Sequence, residues 1–97
     1  MISLAEIRNL YKAQLIDIAS RNKADNIRVF GSFVRGEQSF GSDLDLLVTL
    51  NAGADLFDLA RMRRQASELL NMQIDILPDS CINKHIKQQI LSEAQPL

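Results

Sequence analysis

Near the start of the chain, Leu4, Ile7, Tyr11, Leu15 and Ile18 recur at helical spacing, with Arg8, Asn9, Lys12 and Asp17 off that line. Ser3 and Glu6 stand just before the stripe at the S-x-x-E spacing of a capping box. The pattern predicts a helix over 4–21, ended by the polar run 21–26. Ile27 to Phe30 then reads as a short buried strand running into the turn Gly31-Ser32, with Ser32 placed to cap a short helix over 33–38. Residues 38–42, rich in Ser and Gly, form a loop. From Asp43 to Leu50 the period becomes two: Leu44, Leu46 and Val48 face one way, Asp43, Asp45 and Leu47 the other. After the turn at Asn51-Ala52-Gly53, Asp55 caps a helix over 56–70. Its stripe is Leu59, Met62, Ala66 and Leu69, flanked by Leu56 and Leu70, and Asn71 suits the position that ends it. Met72 to Leu77 is a third strand, stopped by Pro78-Asp79-Ser80, and 82–93 is a last helix with Ile82, Ile86, Ile90 and Leu91 as its stripe. Strands interleaved with helices make an α/β fold, a small central sheet of three or more strands flanked by helices.

Composition narrows the reading. The 97 residues fit one domain, 1–97, without internal repeat or low-complexity linker. Eleven basic and twelve acidic residues leave a net charge of −1. That balance argues against direct nucleic-acid binding, which draws its affinity from many cationic contacts. It leaves room for a nucleotide, which backbone N–H groups and metal ions can hold. A single cysteine, Cys81, excludes an internal disulfide. No signal peptide and no apolar run of membrane-spanning length are visible, so a cytoplasmic location without membrane contact is expected.

The chemistry concentrates in two stretches. Asp43 and Asp45, two apart on a strand, lie about 6.6 Å apart on one face, where like charges repel unless a cation sits beside them. Asp75 stands alone among Ile74, Ile76 and Leu77. If its strand neighbours the other in register, it joins the same face. Three carboxylates from two adjacent strands suit one or two hard divalent ions such as Mg²⁺. Gly31-Ser32, where a strand meets a helix start, can present N–H groups and a hydroxyl to phosphate oxygens. Each feature has a structural alternative: solvated strand-end acids for Asp43 and Asp45, an edge-strand acid facing water for Asp75, an ordinary turn for Gly31-Ser32. Arg35 suits either a phosphate contact or a salt bridge with Glu37. Arg61, Arg63 and Arg64 read first as a solvated helix face and second as a docking patch. His85 reads as a surface residue, Cys81 as half-buried packing, and Tyr11 as part of the core.

Gly31-Ser32, ten residues, then Asp43-x-Asp45 resembles the G-S-x10-D-x-D signature of the polymerase-β nucleotidyltransferase superfamily. The fuller pattern, Gly31-Ser32-x-x-Arg35-Gly36 and Ser42-Asp43-x-Asp45, is similar to its smallest members, the minimal nucleotidyltransferases. The likeness extends over nearly the whole chain, through the strand bearing Asp75 to the ending Ile90-Leu91-Ser92-Glu93-Ala94; Val34, where a small residue is common, departs from it. The resemblance implies a polymerase-β-like fold and an enzyme that uses ATP and two Mg²⁺ ions. Asp43 and Asp45 would bind both ions. Asp75 would complete one site and help activate the attacking hydroxyl, and Gly31 and Ser32 would hold the β- and γ-phosphates. It further implies an antitoxin that transfers AMP to a tyrosine of a HEPN-domain toxin, in a hetero-oligomer with that partner. The competing expectations are an antitoxin acting by binding alone and a small-molecule nucleotidyltransferase. The latter is disfavoured because 97 residues leave no room for an acceptor-binding domain.

Overall fold

The capping box at the start of the chain forms. Ser3 Oγ accepts from Glu6 N–H at 3.1 Å, and the Glu6 carboxylate accepts from Ser3 N–H at 3.2 Å. It opens helix α1, Leu4–Arg21, in a computed structural model that describes residues 2–97. The chain continues through β1 (Ala24–Phe30), the short helix α2 (Ser32–Arg35), β2 (Leu44–Leu50), α3 (Leu56–Leu70) and β3 (Ile74–Pro78). A single 3₁₀ turn, Asp79–Cys81, leads to α4 (Lys84–Glu93) and β4 (Gln95–Pro96). The sheet order is β3-β2-β1-β4. β1 runs antiparallel to β2 and to β4, and β2 runs parallel to β3. A parallel neighbour needs a crossover, which α3 supplies.

Alternation on the strands divides the sheet into two unlike faces. Leu44, Leu46 and Val48 of β2, Val29 of β1 and Ile74 of β3 are buried against α1 and α3. From the helices, Ile7, Leu15, Ala66 and Leu70 meet one part of this core, and Ile18, Ala19 and Met62 the other. Each fully buried Leu or Ile of this set contributes about 1.5–3 kcal/mol relative to exposure. The helix junction also buries Asn22, whose amide donates to Ile18 O and to Gln65 Oε1, both at 2.8 Å, joining the end of α1 to α3. The opposite face carries Arg28, Phe30, Asp45, Leu47, Thr49, Asp75 and Leu77, as the pairing registers require. No helix is long and apolar enough to cross a membrane.

Several sequence expectations are corrected. β1 begins at Ala24, inside the polar run expected only to end the first helix, and not at Ile27. Lys23 and Asn26 take positive φ (62° and 52°), and the pairing with β2 shifts between Asp25 and Arg28, so a bulge breaks the alternation that would reveal a strand. β3 is displaced to Ile74–Pro78. β4 leaves no sequence signal because it is two residues long and contains Pro96. Its tertiary partners hold it: Leu97 N–H donates to Ile27 O at 3.0 Å, and Arg8 donates to the carbonyls of Pro96 and Leu97 at 2.9 and 3.3 Å. Ser32 does not cap α2; Gly31 occupies the N-cap with no side-chain bond. On α4 only Ile90 is buried, whereas Ile86 and Leu91 are exposed. Cys81 is exposed rather than half-buried. Asp55 does cap α3, in a reciprocal box with Asp58, and Asn71 ends that helix in the left-handed region.

At the far end of the open face, Asp79 Oδ2 accepts from Thr49 Oγ1 at 2.6 Å and from Arg28 Nη2 at 2.9 Å, tying β1, β2 and the turn after β3. The Thr49 hydrogen bond, followed by Arg28, holds the Asp79 carboxyl below its usual range against the opposing effect of burial. A carboxyl with a depressed folded-state pKa stabilises above its unfolded pKa, and that contribution is lost as pH falls through the folded value. Asp79→Asn is therefore expected to lower stability at pH 7 by about 1–2 kcal/mol and to narrow the difference between the two proteins as the pH drops below about 4. Urea unfolding at pH 7 and pH 3 checks this; an equal gap at both values refutes it.

Candidate active site

The candidate acids meet through strand register. Asp45 and Asp75 are direct Cα partners on parallel neighbours, so their side chains stand side by side on the open face. On the other side Asp45 is paired with Phe30, the residue before Gly31. Asp43 lies one residue ahead of β2 and is exposed, as is Asp75, while Asp45 is half-buried. Leu44 N–H donates to Gln73 O at 3.1 Å, which fastens the start of β2 to the segment entering β3. Burial, then the charges of Asp75 and Asp43, push the Asp45 carboxyl above its ordinary range, with Arg35 pulling weakly the other way.

Gly31 approaches this cluster more closely than any side chain would allow. It takes φ 79° and ψ −152°, and a Cβ built on it would fall on Asp45 Oδ2. Its carbonyl accepts from Val34 and Arg35 N–H at 3.1 and 3.2 Å, which starts α2. Its own N–H donates to Glu93 Oε1 at 2.8 Å. The N–H groups of Ser32 and Phe33, in the first turn of α2, can have no intrahelical acceptor. From β1 to β3 the open face thus presents in sequence the Gly31-Ser32 turn, the Asp43 and Asp45 carboxylates, and Asp75.

Arg35 makes salt bridges rather than standing free. Its Nε donates to Glu37 at 3.0 Å, and its Nη1 donates to both Glu93 oxygens at 3.1 and 3.0 Å. These bonds, Glu37 first, hold its guanidinium proton still more firmly than usual. Glu93 was not singled out from the sequence. A carboxylate at the end of an amphipathic helix carries no local sign of a partner 62 residues away; its place in the family-like ending Ile90–Ala94 was the one available signal. Arg61 bonds Asp58 at 3.1 Å and Asn22 at 3.3 Å and so serves the α1–α3 junction. Arg63 lines a groove of about 390 Å³ with Phe30, Leu59, Asp75 and Leu77. Arg64 and His85 are exposed, and Tyr11 packs against the core from a half-buried position.

Among the described residues, no group of three or more His, Cys, Asp or Glu side chains is disposed so that it could hold a metal ion. The donor set nevertheless fits a divalent hard cation. It is all oxygen, it is drawn from two adjoining strands, and its central carboxyl bears an electrostatic strain that a cation would reverse.

Known proteins share both fold and sequence. A protein of Methanocaldococcus jannaschii provisionally named protein adenylyltransferase MJ0435 is 35% identical over 86 residues, 89% of this chain and 92% of its own. Protein adenylyltransferase MntA of Thermococcus cleftensis is 30% identical over 93 residues, 96% of this chain and 94% of its own. A solved structure provisionally described as a minimal nucleotidyltransferase superimposes with a TM-score of 0.87 at 35% identity, covering 99% of this chain and 97% of the other. Two chains from toxin–antitoxin complexes share the fold. One complex contains AMP-PNP (TM-score 0.75, 21% identity, 90% of this chain and 72% of the other). The second joins the tri-AMPylated Shewanella oneidensis HEPN toxin to its MNT antitoxin (TM-score 0.69, 18% identity, 92% and 70%). The family model for the nucleotidyltransferase domain matches residues 12–97, and with these relatives it shows that the chain belongs to that family of enzymes, among its minimal nucleotidyltransferases.

Proposed function

We propose that the protein, acting as one domain over residues 1–97, transfers AMP from ATP to a tyrosine hydroxyl of a HEPN-domain toxin and is the antitoxin of that pair. The observation that carries the reading is the direct pairing of Asp45 with Asp75, with Gly31 packed against the Asp45 carboxylate. The naming of MntA as a protein adenylyltransferase and the fold shared with an MNT antitoxin bound to its AMPylated toxin support the substrate and the partner.

In this reading Asp43 and Asp45 would hold two Mg²⁺ ions and Asp75 would complete one of the sites. When bound, such ions neutralise charge on the transferring phosphoryl group and lower the pKa of the attacking hydroxyl. The chain's own residues supply the alignment. Ser32, with the first-turn N–H groups of α2, holds the β- and γ-phosphates on the β1 side. Gly31 admits them close to Asp45. Asp75, on the β3 side, receives or steers the proton of the acceptor hydroxyl. Leaving group and nucleophile then lie on opposite sides of the β2 acids, as in-line displacement requires. The acids sit on an open sheet face with two of the three exposed, which suits an acceptor carried by a macromolecule.

Incubation with [α-³²P]ATP, Mg²⁺ and a HEPN-domain toxin from the same operon is expected to label the toxin on tyrosine, and chelation by EDTA to stop labelling. Failure of the folded wild type to label its partner refutes the proposal. Asp45→Asn is expected to cut labelling by on the order of 10²–10³-fold or more while leaving the circular dichroism spectrum unchanged. An Asp45→Asn protein that still neutralises the toxin in cells shows instead that binding alone suffices. Gly31→Ala forces a Cβ onto Asp45 and an L-residue into a backbone region that is essentially glycine's alone, at a cost of about 1–3 kcal/mol for the backbone. It is expected to lower the melting temperature and to abolish labelling; full labelling by this variant would show that the close approach is not needed.

A further inference from the structure

We propose that Glu93 is a positioning residue for nucleotide binding: from the last turn of α4 its carboxylate grips both ends of α2 and thereby sets the Gly31-Ser32 turn against Asp45. The inference rests on the function proposed above, in which that turn holds the phosphates.

The ladder between β1 and β4 sets where Glu93 lies. Arg28 pairs with Pro96 and Val29 with Gln95. Carried on by two residues, the antiparallel register sets Gly31 opposite Glu93, where β4 has given way to α4. The rung that a backbone carbonyl would make is made there by the Glu93 side chain, at 2.8 Å from Gly31 N. The same carboxylate takes Arg35 Nη1 on both oxygens, at 3.1 and 3.0 Å. Gly31 and Arg35 are the N-cap and the last residue of α2. One anion therefore holds a helix at its two ends.

This grip matters because α2 has little else to orient it. A helix of four residues is far below the length that is stable alone. Its N-cap has no side-chain hydrogen bond. Phe33 is buried and Val34 packs half-buried against the same core, so apolar contact comes from two adjacent residues in the middle of the helix and holds neither end. The Glu93 side chain is 21% exposed and Arg35 43%, so the pair is partly shielded, with one guanidinium nitrogen shared between the two carboxylate oxygens. The margin for error is small, because Gly31 already packs on Asp45 Oδ2 without room for one carbon atom. A small tilt of the turn would move the Ser32 hydroxyl and the first-turn N–H groups relative to the acids.

A carboxylate on an N–H and a guanidinium could instead occupy the phosphate's place and compete with it. The register decides for the clamp. The Gly31 N–H donates to Glu93, which precedes β4 on one side of β1, whereas Asp45 and Asp75 belong to β2 and β3 on the other. The carboxylate supports the turn from the β4 side, near enough to Asp45 for its charge to add to the repulsion there.

The test is calorimetric titration of the wild type, Glu93→Gln, Glu93→Ala and Arg35→Gln with a non-hydrolysable ATP analogue and Mg²⁺, with thermal melts alongside. Glu93→Gln keeps an acceptor for Gly31 N–H but loses the ion pair, and is expected to bind about tenfold more weakly; Glu93→Ala loses both and is expected to lose about a hundredfold. Arg35→Gln, which leaves the Gly31 bond in place, should match Glu93→Gln and serves if the Glu93 variants do not fold. Lys87→Ala, on an exposed part of α4, should bind as the wild type does. Analogue affinities within twofold of wild type in the Glu93 variants, whatever their melting temperatures, overturn the proposal. Tighter binding also overturns it, by making the carboxylate a competitor. A wild type that fails to bind the analogue overturns the proposed function together with the clamp, whereas wild-type binding that the variants match overturns the clamp alone.

Discussion

The parallel register of β2 on β3 is the constraint on which the site depends. Leu44 faces Ile74, Asp45 faces Asp75 and Leu46 faces Ile76. Because side chains alternate along a strand, a slip of one residue would turn Asp75 into the helix-covered core and Ile74 out to solvent. The cost of burying an unpaired carboxylate, several kcal/mol, excludes that slip. The acids thus help to enforce the register that brings them together, and the apolar residues between them enforce it from the other face. A mutual repulsion that would be a defect in isolation is tolerated because burial of Leu44, Leu46, Val48 and Ile74 offsets it.

The two ends of the open face are organised on opposite electrostatic terms. Around Asp79, carboxylate, hydroxyl and guanidinium satisfy one another at 2.6 to 2.9 Å, and the carboxyl is held below its normal range. Around Asp45, burial and like charge dominate and the carboxyl is held above it. The first arrangement is what a chain builds to hold strands together. The second is stabilising only in the presence of something the chain does not itself supply, which is the usual mark of a functional site. The cation that could have relieved it, Arg35, is drawn away by Glu37 and Glu93. That diversion keeps the acidic face open to an external cation.

How far this was legible in the sequence depends on how local each signal is. α1 and α3 could be placed to the residue because their caps, Ser3 with Glu6 and Asp55, lie within three residues of the groups they bond. The faces of β2 were legible because alternation runs unbroken from Asp43 to Val48. The start of β1 was not, because a bulge at Asp25 to Arg28 takes the chain out of period two. β4 was not, because it is held by its pairing with Arg28 and Val29 and by bonds from Arg8 and to Ile27, all distant in the chain. The neighbourhood of Asp45 and Asp75 could be posed from sequence only as a condition on strand pairing, and the register met it. Glu93 illustrates the limit: nothing within ten residues of it says that its partners are Gly31 and Arg35.

Glu93 also shows why so short a chain can hold a turn in place. An N–H in an antiparallel ladder usually meets a backbone carbonyl, whose position is tied to the course of its own strand. A side chain on a helix end frees the acceptor from that course, and a carboxylate adds charge and a second oxygen. One residue can then complete a sheet rung and pin a helix that the rung precedes. With β4 only two residues long, a backbone rung at Gly31 would have required the strand to extend into what is now the last turn of α4, displacing Ile90, the residue that buries that helix. Closing the ladder with a side chain keeps both the buried anchor of α4 and the support of the turn, and it makes the geometry at Asp45 depend on the last five residues of the chain.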